Sequence, residues 1–200
     1  MSLGAKLLGM AALATSLSLS AAETKAQRAE AILAAGCFWC VEADFEKLPG
    51  VLDAVSGYAG GRTENPSYKE VSRGDTGHAE VVRILYDPTQ ISYAELLQHF
   101  WKNVDPTTPN QQFCDRGSPY RAALFPLNAE QKAAAQDSLQ AVIDSGRFEQ
   151  VHVGIEQPGR FWPAEDYHQD YAQKNPVRYN YYRYRCGRDA RLKALWGPSD

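Results

Sequence analysis

Two cysteines separated by an aromatic pair, in the stretch Gly36-Cys37-Phe38-Trp39-Cys40, are the residues of this chain best suited to covalent chemistry. The apolar run before them predicts a buried strand, and Gly36 ends it so that a helix can begin near Phe38 or Trp39. A cysteine at a helix N-terminus meets the positive end of the helix dipole and unpaired N–H groups, which favour the thiolate and lower the thiol pKa. We therefore predict that Cys37 is a nucleophile. Cys40 lies about one turn further on, so it is less activated but close enough for a disulfide with Cys37.

Three other interpretations of this cysteine pair stay open at this point. Both residues can be small core residues, since an apolar environment disfavours the thiolate. They can also belong to a zinc site, although the other two cysteines and the four histidines are scattered singly, so we expect no metal. The C-x-x-C spacing after a strand is typical of thioredoxin-like oxidoreductases as well, but their chemistry needs no carboxylate strand and no paired tyrosines.

A glutamate in the stretch GDTGHAEVV is the second candidate for chemistry. The segment 78–88 predicts a strand, in which alternation places Glu80 on the same face as Val82, Ile84 and Tyr86. A carboxyl group that loses water among aliphatic neighbours has a raised pKa and can hold a proton near neutral pH. Glu80 is therefore predicted to be a general acid; the alternative is a salt-bridged glutamate of a central strand.

Composition narrows the kinds of partner this chain can have. Its 200 residues, 44% of them hydrophobic, are enough to bury one core, and we find no repeat or linker that divides two domains. The net charge of −3 gives no basic field that would hold nucleic acid or an anionic membrane surface. We therefore expect a single domain that binds neither.

The first 22 residues differ from the rest of the chain. Lys6 is followed by the apolar run LLGMAALATSL and by the small residues Ser20, Ala21 and Ala22, an order typical of a cleaved secretory signal peptide. The apolar run is shorter than the roughly 20 residues that a membrane span needs. We therefore expect a signal peptide at 1–22, a catalytic domain at 23–200 and a periplasmic or secreted protein. The alternative is a cytoplasmic protein with an amphipathic N-terminus.

Alternating strand and helix patterns place these candidates in a fold. Strands are predicted at 29–36, 51–61, 78–88, 121–127 and 150–156. Helices are predicted from about residue 38 to 48, at 91–104 with Ser92 and Glu95 as a capping box, at 128–143 and at 164–174. Long loops at 62–77 and 105–119, and a C-terminal tail from about residue 177, complete the chain. The expected fold class is α+β, a single domain with a mixed β-sheet and flanking helices in a ferredoxin-like two-layer α/β sandwich.

A series of motifs resembles one family, in the order in which that family carries them. They are GCFWC, GYAGG, NPSYKEV, GDTGHAEVV, DRGSPYR and FWPAEDYHQDY, and the resemblance extends from about residue 30 to about residue 176. The family is peptide methionine sulfoxide reductase of the A type. The resemblance implies reduction of the S-epimer of methionine sulfoxide, free or in proteins, with thioredoxin or a thioredoxin-like dithiol as reductant and no cofactor. We also expect a monomer.

The resemblance also implies a role for each site residue. Cys37 is the nucleophile, and Glu80 protonates the sulfoxide oxygen. Tyr68 and Tyr120 donate hydrogen bonds to that oxygen, and Asp115 is a supporting polar residue. Phe38 and Trp39 form the aromatic pair that receives the substrate methyl group.

The second thiol that resolves the Cys37 sulfenic acid stays open. Cys40 stands where many members of the family have glycine, and it is adjacent from the start. Cys186 lies on a tail expected to be mobile and is an equal candidate, with Cys114 third. The aromatic run YNYYRYR of this tail also admits a non-enzymatic alternative, a secreted binding module, for which Cys37 would be dispensable.

Overall fold

The computed structural model describes Met1 and residues 28–197, so the predicted signal peptide, Met1 apart, lies outside the described residues. The strands of the described part are β1 (Ala29–Ala35), β2 (Val51–Ala59), β3 (Ala79–Tyr86), β4 (Gln111–Gln112), β5 (Asp115–Arg116), β6 (Ala122–Phe125), β7 (Gly154–Ile155) and β8 (Trp162–Pro163). The helices are α1 (Phe38–Phe45), α2 (Tyr68–Val71), α3 (Tyr93–Lys102), α4 (Ala129–Asp144), α5 (Tyr171–Lys174), α6 (Pro176–Arg185) and α7 (Arg188–Trp196). A 3₁₀ turn covers Ser118–Tyr120.

Six of the strands form one mixed sheet in the order β7-β6-β1-β3-β2-β8. Neighbouring strands are antiparallel except for the parallel pair β6 and β7. The four longest strands and the helices α1 and α3 follow one another as β-α-β-β-α-β, with β1 and β3 in the centre of the sheet. This is the ferredoxin-like arrangement, and the predicted α+β class is confirmed.

The two faces of the sheet carry separate apolar clusters, because successive side chains of a strand point to opposite sides. Leu33, Val82 and Ile84 belong to the larger cluster, which α1 and α3 cover with Phe45 and Phe100. The opposite face carries a smaller cluster of Ile32, Ala34, Ala59, Ala79, Val81, Ala123 and Phe125, against which Phe161 packs. The alternation predicted for β3 is confirmed.

The predicted capping box of α3 is confirmed as well. The Glu95 N–H donates to Ser92 Oγ at 3.2 Å, and the Ser92 N–H donates to Glu95 Oε2 at 2.7 Å. Each side chain thus satisfies one N–H group that the first turn of a helix leaves unpaired.

Two predicted elements are shorter in the structure. The strand expected at 150–156 is reduced to Gly154–Ile155, and of the helix expected at 164–174 only Tyr171–Lys174 is helical. Asp170 has a left-handed φ of 53°, which interrupts a helix there. The loop expected at 62–77 contains the short helix α2.

The C-terminal segment was expected to be a mobile tail. This expectation is wrong, because residues 176–196 form two helices that pack on the domain. Tyr179, Arg188 and Leu192 are buried, and the Trp196 Nε1–H donates to the Val104 carbonyl at 2.9 Å. A disulfide between Cys114 and Cys186 joins the end of α6 to the loop before β5. No helix among residues 28–197 is both long and apolar enough to cross a membrane.

Candidate active site

The turn between β1 and α1 brings the predicted nucleophile next to the predicted acid. Cys37 is the N-cap residue of α1, and its side chain receives no hydrogen bond from the helix backbone. The first N–H group of the helix, that of Phe38, donates instead to Glu80 Oε2 at 3.0 Å. The start of α1 is therefore fixed to the middle of the sheet through the carboxyl group of β3.

Burial makes Glu80 a weak acid. The residue is 2% exposed, and loss of water raises its pKa to about 8 although the Phe38 N–H lowers it; the nearby Asp115 and Cys40 raise it further. A carboxyl group with this pKa is mostly protonated at pH 7 and can donate a proton. The direction predicted from the strand pattern is thus confirmed.

The predicted low pKa of Cys37 is wrong for the substrate-free protein. Burial raises the pKa of this thiol well above its ordinary value, and its hydrogen bond to Cys40 and the neighbouring carboxyls of Glu80 and Asp115 raise it further. The first N–H of the helix donates to Glu80, and the Cys37 side chain makes no capping hydrogen bond. Proximity to a helix end alone was therefore an insufficient argument.

Cys40 has the opposite tendency. Its hydrogen bond from the Cys37 thiol lowers its pKa to about 7 against the effect of burial, and the guanidinium groups of Arg188 and Arg183 lower it further. Both cysteines are free and buried. Within the pair, Cys40 is therefore the stronger acid and Cys37 the weaker one.

Two tyrosine hydroxyls face the same space. Those of Tyr68, on α2, and Tyr120, in the 3₁₀ turn, are hydrogen-bonded to each other. Burial raises the pKa of both groups, and the Glu80 carboxyl acts in the same direction. Both hydroxyls are therefore neutral donors. Asp115, on β5, accepts a hydrogen bond from Tyr182 of α6.

The aromatic pair forms a wall beside the cysteines. Phe38 is buried, whereas Trp39 is partly exposed and stacks on Tyr171 with ring centres 3.7 Å apart. The Trp39 Nε1–H donates to His168 Nδ1 at 3.0 Å, and the Phe38 ring lies 5.0 Å from the same imidazole. These contacts fix the orientation of the indole while leaving one part of it open to solvent.

Three residues that hold the site in place were given no role in the sequence analysis. His168 holds Trp39, and Glu165 accepts hydrogen bonds from the Tyr58 hydroxyl and the Tyr68 N–H, each at 2.9 Å. Both lie in the motif FWPAEDYHQDY, which was noted without a role for either residue. Tyr182 contacts Asp115 and the Cys37 thiol, and nothing in the aromatic run of α6 marked it out.

The disulfide places the remaining cysteines beside the site. Cys114 precedes Asp115, and a carboxylate oxygen of Asp115 lies within 4.8 Å of the sulfurs of Cys114 and Cys186. Because these two sulfurs are bonded to each other, neither is a free thiol in this state. The structure thus separates the four cysteines into one free pair and one bonded pair.

Two clusters of three side chains within residues 28–197 have the atoms to bind a metal ion, and the members of both have protein partners. In the set Cys114, Asp115 and Cys186 the sulfurs form the disulfide. The other set is Glu42, Glu46 and Asp170, whose members accept hydrogen bonds or ion pairs from Ser56, Gln173 and Lys174.

These features define a class, an α+β domain in which a buried pair of free cysteines lies close to a buried carboxyl group with a raised pKa. The family model described as peptide methionine sulfoxide reductase matches residues 29–199. The chain belongs to the peptide methionine sulfoxide reductase family. The predicted enzyme class, an oxidoreductase that reduces methionine sulfoxide, is thereby confirmed.

Individual relatives agree with this assignment. Peptide methionine sulfoxide reductase MsrA 2 of Rhizobium meliloti is 48% identical over 84% of this chain and 83% of its own length. Peptide methionine sulfoxide reductase MsrA/MsrB of Vibrio cholerae is 47% identical over 97% of this chain, which spans 53% of that protein. Methionine sulfoxide reductase A of Corynebacterium diphtheriae is a similar solved structure, with a TM-score of 0.69 and 30% identity over 78% of each chain. Reduced Mxr1 of Saccharomyces cerevisiae has a TM-score of 0.69 and 36% identity over 76% of this chain and 88% of its own.

Proposed function

We propose that this protein reduces the S-epimer of methionine sulfoxide, free or in proteins, with Cys37 as nucleophile and Glu80 as general acid, and so repairs oxidised proteins. The observation that carries the proposal is the neutral Glu80 carboxyl, buried in the sheet and hydrogen-bonded to the residue after Cys37. A sulfoxide oxygen leaves sulfur only when it is protonated. The site supplies a sulfur nucleophile and a proton donor within one apolar enclosure.

In the first step the Cys37 sulfur attacks the sulfoxide sulfur after passing its proton to Cys40. Glu80 gives its proton to the sulfoxide oxygen. The attack joins the two sulfurs; the protonated oxygen then moves from the substrate sulfur to the Cys37 sulfur as this sulfur–sulfur bond breaks, so that methionine leaves as the thioether and Cys37 becomes a sulfenic acid. The substrate is reduced by two electrons and Cys37 is oxidised by two.

Substrate orientation follows from the groups around the two sulfurs. The hydroxyls of Tyr68 and Tyr120 donate hydrogen bonds to the oxygen, and Phe38 and Trp39 enclose the methyl group. Asp115 supports this arrangement by holding the Tyr182 hydroxyl. Because the methyl site and the oxygen donors have fixed positions, the enclosure accepts one configuration at sulfur.

Cys40 resolves the sulfenic acid in this proposal. It is a free thiol hydrogen-bonded to Cys37, whereas Cys186 and Cys114 are bonded to each other. Attack of the Cys40 sulfur on the Cys37 sulfur forms the disulfide, and the proton that Cys40 took from Cys37 leaves with the hydroxyl group as water. Thioredoxin or a similar dithiol then reduces this disulfide by thiol–disulfide exchange.

Cellular location is inferred from residues 1–22, whose pattern is that of a signal peptide. The protein is then periplasmic or secreted, and its reductant is present in the same compartment. We also propose that it works as a monomer. Protease mapping of the mature N-terminus after expression in the native host tests the location.

A single-turnover experiment tests the catalytic proposal. The reduced protein is mixed with a peptide containing either the S-epimer or the R-epimer, and the released methionine and the new disulfides are mapped by mass spectrometry. We expect turnover of the S-epimer alone, a Cys37–Cys40 disulfide, and complete loss of turnover in Cys37→Ser. Turnover that survives Cys37→Ser contradicts the proposal. Reduction of insulin disulfides at a comparable rate favours a thioredoxin-like oxidoreductase instead.

A further inference from the structure

A buried histidine beside the candidate active site has one ring nitrogen without a partner. His168 is 1% exposed, and the Trp39 Nε1–H donates to its Nδ1 at 3.0 Å. The other ring nitrogen, Nε2, is buried and has no hydrogen-bond partner among residues 28–197. Burial lowers the pKa of the imidazole although the Glu165 carboxylate raises it, so the ring is neutral at neutral pH.

The hydrogen bond from Trp39 fixes which nitrogen of His168 carries the proton. A neutral imidazole has one N–H donor and one acceptor nitrogen, whereas an indole N–H can only donate. Nδ1 must therefore be the acceptor, and the proton lies on Nε2. Glu165 Oε2 lies 4.0 Å from Nε2, which is too far for a hydrogen bond, but its negative charge favours the proton on this nitrogen.

Glu165 is a fixed negative charge beside the imidazole. Burial raises the pKa of its carboxyl group, but hydrogen bonds from the Tyr68 N–H and the Tyr58 hydroxyl, each at 2.9 Å, outweigh burial and hold this pKa below its ordinary value. The carboxylate therefore stays ionised at neutral pH. Because the two donors belong to α2 and β2, the charge is anchored to the domain and not only to the loop that carries Glu165 and His168.

The hydrogen bond orients the Trp39 ring in a way that stacking does not. The indole stacks on Tyr171, with ring centres 3.7 Å apart and an angle of 7° between the planes. A half-turn about the bond between Cβ and the indole leaves the ring in the same plane, so stacking accepts either orientation. Of these two orientations, one points Nε1 at His168 Nδ1. The imidazole thus determines which edge of the indole lines the enclosure.

We propose that His168 is a positioning residue that sets the selectivity for the alkyl group on sulfur: with its Nδ1 unprotonated beside the charge of Glu165, it locks the Trp39 indole so that methyl is accepted and longer groups are excluded. This proposal rests on the function proposed above, in which Phe38 and Trp39 enclose the substrate methyl group. In a hydrophobic pocket, one methylene changes selectivity by about 10-fold to 200-fold. An indole that is free to turn forfeits most of this discrimination.

Comparison of a methyl with an ethyl sulfoxide tests the proposal in the full-length protein. The probes are the S-epimers of methionine sulfoxide and ethionine sulfoxide, with dithiothreitol as reductant, and the readout is the ratio of their kcat/KM values. We expect wild type to prefer the methyl compound by about tenfold or more. A wild-type protein that reduces both equally well overturns the proposal, whereas one that reduces neither refutes the proposed function.

Two variants separate the hydrogen bond from ring packing. His168→Phe keeps a ring against Tyr68 and Tyr167, which lie 4.5 and 4.1 Å from the imidazole, but it leaves the Trp39 N–H without an acceptor. His168→Asn loses the ring but keeps an acceptor oxygen close to the position of Nδ1. We expect His168→Phe to lower the methyl-to-ethyl ratio by about fivefold or more, and His168→Asn to retain most of it.

The opposite order of the two variants would assign the selectivity to packing and overturn the proposal. Equal losses of kcat/KM for both sulfoxides in His168→Phe, with the ratio unchanged, refute the role of His168 and leave the proposed function standing. His99→Phe is the matched control, because the Nε2 of His99 is also buried without a partner, but this ring contacts Phe45 at 4.8 Å. It should keep the wild-type ratio.

Nitrogen-15 NMR spectra of the wild-type protein test the proton position without a substitution. The His168 ring is identified by its nuclear Overhauser contact with the Trp39 indole N–H, so the result does not depend on whether a variant folds. We expect an unprotonated Nδ1 and a protonated Nε2, and a protonated Nδ1 overturns the proposal. In Glu165→Gln, which lacks the negative charge, the proton should shift towards Nδ1 and the methyl-to-ethyl ratio should fall; an unchanged proton position refutes the part assigned to Glu165.

Discussion

Replacement of Glu80 by glutamine is expected to remove the proton donor while leaving the surrounding structure in place. The glutamine carbonyl can still accept the Phe38 N–H, which donates to Glu80 Oε2 at 3.0 Å in the native protein. Glutamine has nearly the same size, so the packing beneath β3 is retained. What it lacks is the proton that a neutral carboxyl carries.

The size of the effect follows from the pKa of about 8. A carboxyl with this pKa is about 90% protonated at pH 7, whereas one with the ordinary Glu value of about 4.3 is about 0.2% protonated. Burial in the sheet therefore increases the available acid by about 450-fold at this pH. The usual contribution of a general acid is of the same order, so we expect Glu80→Gln to slow methionine release by roughly 100-fold or more.

The assay is single-turnover release of methionine from a peptide containing the S-epimer, measured from pH 5.5 to about 9.5. The wild-type rate should rise as the cysteine pair loses a proton near pH 7 and fall as Glu80 loses its proton near pH 8. Glu80→Gln should lose the descending limb as well as the rate.

The matched control is Glu42→Gln, since Glu42 is also a buried glutamate with a raised pKa, of about 7, but its carboxylate accepts hydrogen bonds from Ser56 and Asp170. This variant should keep both the rate and the descending limb. A Glu80→Gln protein that releases methionine within about threefold of wild type, with the limb intact, refutes the role of Glu80.

Further predictions concern stability and substrate binding. Burial raises the pKa of Glu42 to about 7 in the folded state. The contribution of Glu42 to stability is therefore fully present below its unfolded pKa and is lost as pH rises through about 7. In urea titrations between pH 5 and 8, the unfolding free energy of Glu42→Gln should fall less than that of wild type. Cys186→Ser opens the disulfide to Cys114 and should lower the unfolding free energy by about 2–4 kcal/mol in the same titrations, while single-turnover methionine release persists; loss of release would show that this disulfide takes part in the first step. Trp39→Phe should raise KM severalfold with little change in kcat, because it removes the hydrogen bond to His168 while an aromatic ring remains over Tyr171; an unchanged KM contradicts a role of Trp39 in binding.

The elements that carry chemistry near the centre of the fold were predictable, because local pattern and tertiary packing agree there. The period of two along β3 assigned Glu80 to the same face as Val82 and Ile84, and the capping box of Ser92 and Glu95 fixed the start of α3. Their signals lie within a few residues of sequence. The weaker predictions came from segments whose conformation depends on distant partners: helix 164–174 is lost where Glu165 bonds to Tyr58 and Tyr68.

The C-terminal helices show the same limit more strongly. Their sequence is basic and aromatic with little apolar periodicity, so a loose tail was the natural expectation. They pack because Arg188 donates hydrogen bonds to carbonyls of β1 and of the turn after α3, and because Cys186 forms a disulfide with Cys114, 72 residues earlier. None of these partners can be recognised from the residues next to them in sequence.

One turn of α1 therefore presents two cysteines to opposite electrostatic surroundings. The carboxyl groups of Glu80 and Asp115 contribute to the raised pKa of Cys37, whereas guanidinium groups of α6 and α7 help to lower the pKa of Cys40. Three-residue spacing on a helix is what allows this division, since it keeps the sulfurs in hydrogen-bonding contact while their other neighbours differ. In the proposed first step Cys37, although a poor thiolate, can then still react, because the Cys40 sulfur that takes up its proton lies one turn further along the same helix.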